Sequence, residues 1–142
     1  MVALLDHLET EHAVIGGLSL GANFAYEVAL RHPERLRALV LEMPVFARGV
    51  PAGRVLFSAL AELFTAVYPF LTMPILVTAH AYDPVHSQDD AAELVAGLPE
   101  AARIDLRSIF DFVLRHQAIN CEVGTFLRGL PPVTPERCRR WS

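Results

Sequence analysis

Lysine is absent from this 142-residue chain; all 12 basic residues are arginine, set against 16 acidic ones. We read the missing lysine as a coding bias, which excludes no chemistry. The net charge of −4 excludes more. A mildly acidic chain lacks the basic footprint of nucleic-acid binding, so no nucleic-acid partner is expected. Cysteine is scarce: Cys121 and Cys138 are the only two, and their spacing is not that of metal ligands. Free thiols and a cytoplasmic location are expected, with no metal and no cofactor. The start, MVALLDHLETEH, has neither a basic stretch nor a cleavage site, so it does not read as a signal peptide. No run is long enough to span a bilayer. The most apolar one, Val55 to Leu71, is interrupted by Glu62 and Pro69. It reads as a buried helix, and its polar stripe lacks the basic face of a membrane-surface helix, so no stable membrane anchor is expected. Repeats and low-complexity segments are also missing.

Apolar residues are abundant, at 53%. That predicts a sizeable core and some apolar surface intended for another partner. Val2 to Glu9 has helical spacing. Ala13 to Gly16 reads as a buried strand, and Leu20 to Arg31 as a helix ended by His32-Pro33. Leu36 to Leu41 and Pro74 to Ala79 read as strands two and three, Asp89 to Leu98 as an amphipathic helix, and Ala102 to Leu106 as a shorter fourth strand. A last helix is expected over roughly His116 to Leu127. The segment Leu130 to Ser142, with three prolines and three arginines, reads as a loose tail. Strands alternating with helices predict an α/β fold: a parallel sheet of about four strands flanked by helices and covered on both faces.

Gly17-Leu18-Ser19-Leu20-Gly21 has the form G-x-S-x-G. Its context is a strand before, a helix after, and the serine at the turn between them, which is what a nucleophile elbow needs. The turn strains the serine backbone and brings its neighbours close, so Gly17 and Gly21 are read as removing side chains that would collide. A glycine-rich turn with an incidental serine is the alternative.

With these residues the chain resembles the α/β-hydrolase superfamily. HAVIGGLSLGANFAYEVALRHPERLRALVLEMP is similar to the family's elbow strand, its helix and the next strand. MPILVTAHAYDPVHSQDDAAELVAGLPEAARI is similar to the strand that delivers the acid, followed by a helix and the final strand. The resemblance implies Ser19 as nucleophile, Asp83 as the acid that orients a histidine, and the Leu20 backbone N–H as an oxyanion donor. A simple turn aspartate before Pro84 is the other reading of Asp83.

The resemblance places the histidine after the fourth strand, near Ser108 to Phe110, where there is none. His116 is the nearest candidate, but it falls where the last helix begins. His86, three residues beyond Asp83, and His80, at the end of the third strand, are each read as surface or supporting histidines, as is His116. His7, His12 and His32 sit on flanking elements. The resemblance starts on the helix before the elbow strand, so the chain is expected to be a truncated, C-terminal portion of the fold: a partial domain over 1–130, a residual, shortened cap over 46–72, and a flexible tail over 131–142. Phe57, Leu60, Phe64 and Tyr68 in the cap read as core before they read as an acyl pocket.

The expected function is a serine hydrolase acting on a small-molecule ester or acyl substrate, impaired by truncation and a missing histidine. The alternative is a non-catalytic or incomplete hydrolase-fold chain serving as a binding module. An elbow strand left at a sheet edge also predicts self-association.

Overall fold

The structure is a computed structural model and describes residues 1–44, 71–83, 86 and 88–131. The expected cap helix, its aromatic stripe and the tail beyond Pro131 lie outside the described residues, as does Cys138.

The chain opens with helix α1 (Val2–His7) and strand β1 (Ala13–Leu18). Helix α2 (Leu20–Arg31) follows, then a single 3-10 turn (Pro33–Arg35) and strand β2 (Leu36–Glu42). After the undescribed segment come strand β3 (Ile75–His80), helix α3 (Gln88–Gly97) and strand β4 (Ala101–Leu106). A four-residue helix α4 (Asp111–Leu114) and helix α5 (His116–Arg128) complete the described chain. The four strands form one parallel sheet in the order β1-β2-β3-β4.

Side chains alternate across the sheet, so the strands supply two cores, one on each face. Ile15, Leu39, Leu41, Ile75, Val77 and Ala79 face α2 and α3, where Ala22, Ala25, Tyr26, Ala91 and Leu94 meet them. The small residues of α2 let that helix lie close on β1 and β2. Leu76, Ile104 and Leu106 face the other way, against Ile119 of α5 and the half-buried Phe112, Val123 and Phe126. β3 is buried at all six positions, as expected of a strand covered on both faces. β1 departs from that expectation. It stands at one edge of the described sheet, and the face bearing Val14, Gly16 and Leu18 is largely bare among the described residues.

Arg35 ties the N-terminal segment to the body. It pairs with Asp6 at 2.7 Å and donates to the carbonyls of Glu11 and Thr10 at 3.0 and 3.2 Å. The loop after β4 is also held by one residue. Asp111 is buried, and its carboxylate accepts from the Arg107 backbone N–H (2.9 Å), from the Arg107 guanidinium (3.1 and 3.3 Å) and from Arg115 (3.1 Å). The Arg107 hydrogen bonds hold the Asp111 carboxyl at about 2, well below the usual carboxylate range.

Candidate active site

The parallel strands end on one side of the sheet, and the chain turns sharply there. Ser19, Met43 and Tyr82 follow β1, β2 and β3, and each has positive φ (54°, 45° and 60°). For residues other than glycine this is a sparsely populated, costly conformation. Strain is therefore concentrated at the carboxyl ends of three adjacent strands.

Ser19 is the elbow. Its N–H donates to the Glu42 carbonyl at 2.8 Å, which pins it to the end of β2. α2 begins at the next residue, and the Ala22 N–H returns to the Ser19 carbonyl at 2.9 Å. The two motif glycines differ in what they do. A Cβ on Gly17 would sit 2.2 Å from the Gly21 backbone and 2.6 Å from the Ala22 nitrogen, so only glycine fits. A Cβ on Gly21 would meet nothing within 4 Å among the described residues. The expectation that both glycines relieve a collision is corrected: Gly17 does, and Gly21 does not.

Asp83 follows β3 after the left-handed Tyr82, and its side chain is 5% exposed. A carboxylate buried this far needs donors for its oxygens. Oδ1 accepts from the His86 backbone N–H at 3.0 Å, and Oδ2 lies 2.7 Å from His86 Nδ1. The carboxylate thus holds His86 by both its backbone and its ring. On its other side the ring reaches the elbow, with His86 Nε2 3.0 Å from Ser19 Oγ.

The structure therefore joins Ser19 to Asp83 through His86, a residue that the sequence alone marks as a surface or supporting histidine. The family resemblance places a base after the fourth strand. Here the Asp83 carboxylate accepts from the backbone N–H of the residue three positions on and holds that residue's ring as well. The D-x-x-H spacing was the available signal. His116 is not part of this cluster: it opens α5, is exposed, and its Nδ1 lies 2.9 Å from the Val113 carbonyl. The segment where the histidine was expected is the loop that Asp111 closes on Arg107 and Arg115.

His80, the last residue of β3, is buried, and its Nε2 lies 3.0 Å from the same Asp83 Oδ2. Its Nδ1 is 3.0 Å from the Ala81 carbonyl. Among the described residues no group of three or more His, Cys, Asp or Glu side chains is arranged to hold a metal ion. A groove of about 580 Å³ between β4 and α5, lined by Leu76, Ile104, Cys121 and Phe126 among others, does not include Ser19, Asp83 or His86. No described helix is long and apolar enough to cross a membrane.

With a neutral His86 carrying its proton on Nδ1, Nε2 is free to accept the Ser19 hydroxyl proton. The tautomer follows from Asp83, which as a carboxylate only accepts. The first N–H groups of α2 lie just after Ser19 and have no acceptor within the helix.

No family model matches the chain. One 40-residue stretch is 52% identical to the 2-hydroxymuconate semialdehyde hydrolase of Pseudomonas sp. (strain CF600), covering 28% of this chain and 14% of that protein. The fold is similar to the enol-lactonase of Burkholderia xenovorans LB400, with TM-score 0.68, 17% identity, and 89% of this chain against 70% of the other. It is likewise similar to the meta-cleavage product hydrolase CumD of Pseudomonas fluorescens IP01, with TM-score 0.71, 16% identity, and 89% and 68% covered. At these identities the likeness speaks to architecture. The four parallel strands and their flanking helices are a partial α/β-hydrolase fold.

Proposed function

We propose that this chain carries the reactive centre of a serine hydrolase acting on a small-molecule ester or acyl substrate. Ser19 is the nucleophile, His86 the general base and Asp83 the acid that orients it. The carrying observation is the continuous chain of contacts from Ser19 Oγ to His86 Nε2 (3.0 Å) and from His86 Nδ1 to Asp83 Oδ2 (2.7 Å). As Ser19 Oγ attacks the substrate carbonyl carbon, its proton passes to His86 Nε2, and Asp83 stabilises the imidazolium. The Leu20 N–H at the start of α2 donates to the developing oxyanion. Collapse of the tetrahedral intermediate breaks the bond to the leaving group, which takes the proton back from His86. Water, deprotonated by the same base, then hydrolyses the acyl-enzyme. The hydrolases of similar architecture support the substrate class, and no cofactor enters these steps.

The test is steady-state hydrolysis of p-nitrophenyl acetate by the purified chain and by Ser19→Ala and His86→Ala. Removing one member of such a unit costs about as much as removing several, on the order of 10³-fold or more. Both variants are expected to fall to the background rate. Turnover that survives Ser19→Ala would reject the reading.

A second reading, self-association, is supported by the bare side of β1. Leu18, Leu20 and Phe24 are 53%, 47% and 64% exposed there, beside a strand with one partner in the described sheet. The free Cys121 thiol is consistent with the cytoplasmic location we assign.

A further inference from the structure

We propose that His80 is a positioning residue for Asp83: its Nε2–H holds Oδ2, fixing the carboxylate in the orientation that reaches His86. The proposal rests on the Ser19–His86–Asp83 reading and assigns a role to a histidine that this reading leaves unused.

Acid and base share one short connection after β3, only three residues apart. A carboxylate rotates freely about its last torsion unless its oxygens are held. Asp83 therefore needs a hold from something that does not move with His86. His80 supplies one: it is the last residue of β3, is 6% exposed, and belongs to the strand buried at every position. Its Nε2 lies 3.0 Å from the very oxygen, Oδ2, that also receives His86 Nδ1. Oδ1 is taken by the His86 backbone N–H, so each carboxylate oxygen is engaged and the group has one preferred rotation. Tyr82, with φ 60° and 97% exposed, makes the turn that brings position 83 back over position 80. Both ring nitrogens of His80 face oxygen acceptors, Asp83 Oδ2 and the Ala81 carbonyl. A doubly protonated ring fills both contacts, and the Nε2–H tautomer fills the one that matters here.

The test compares the full chain with His80→Phe, which keeps bulk and loses the donor, and His80→Gln, which keeps an amide donor. The first readout is the rate of Ser19 modification by a fluorophosphonate. His80→Phe is expected to slow it by about ten- to a hundredfold, the scale of a misplaced catalytic group, and His80→Gln to restore most of it. The second is the low-field ¹H NMR signal of the His86 Nδ1–H, expected in wild type and His80→Gln, displaced in His80→Phe, and absent in His86→Ala. An unchanged rate and an unmoved signal in folded His80→Phe would overturn the proposal and leave the triad standing. If Ser19 is not modified even in the wild type, the triad reading fails and the NMR arm still decides whether His80 orders Asp83. Should His80→Phe not fold, ¹⁵N NMR of wild-type His80 decides: a protonated Nε2 supports the proposal, and a lone pair there contradicts it.

Discussion

At the scale of single residues, the elbow rests on one glycine, not two. Any side chain at position 17 meets the backbone at the start of α2, whereas a Cβ at position 21 meets nothing within 4 Å among the described residues. Gly17→Ala is expected to break the turn, with loss of both the folded state and Ser19 reactivity. Gly21→Ala is expected to be tolerated or to raise stability by about 0.5 kcal/mol, because alanine favours the helix. Thermal melts of the two variants check this, and equal destabilisation would contradict it. The G-x-S-x-G pattern made the strained serine legible, since strand, turn and helix all had sequence signals. The asymmetry between its glycines was not legible, because it depends on how closely α2 returns to β1. The contact between His86 and Ser19 was not legible for a related reason. That contact spans 67 positions and depends on the hold of Asp83 on His86, while the family resemblance places a base further along the chain.

At the scale of elements, strands and long helices were readable because apolar runs and glycine or proline punctuation marked them. The ends of β1, β2 and β3 moved outward by one or two residues. α4 was missed: four residues carry no periodicity, and what shapes them is the hold of Asp111 on Arg107 and Arg115. That hold predicts a pH dependence. The folded Asp111 carboxyl titrates at about 2, below the ordinary value of an unfolded aspartate, about 3.9. Its contribution is therefore full above about pH 4 and lost as pH falls toward 2. Asp111→Asn should melt below the wild type at neutral pH, with the gap closing between pH 4 and 2. A gap that stays constant across that window would assign the stability to something other than the charge. Arg35 is a second single-residue tie, and Arg35→Ala should expose the amides of residues 1–12 to faster hydrogen exchange while leaving β3 protected.

At the scale of the whole molecule, the order β1-β2-β3-β4 places β1, the strand that leads into Ser19, at an edge of the sheet formed by the described residues. Edge strands with apolar surroundings pair with further strands unless charge or proline blunts them. Sedimentation velocity is expected to show concentration-dependent association that Val14→Lys weakens; a single concentration-independent species would contradict it. Fold class was legible from the alternation of elements, and the motif and the aspartate after β3 singled out the two residues, Ser19 and Asp83, that His86 touches on either side. What was not legible was the link between them, since sequence order does not reveal which loop residue a carboxylate turn will carry to a distant serine. That link is tested most directly by intact-mass analysis after fluorophosphonate treatment, with peptide mapping. We predict a single adduct on Ser19 in the wild type, and none in His86→Ala that melts like wild type. An adduct formed equally fast in folded His86→Ala, or none in folded wild type, would contradict the account.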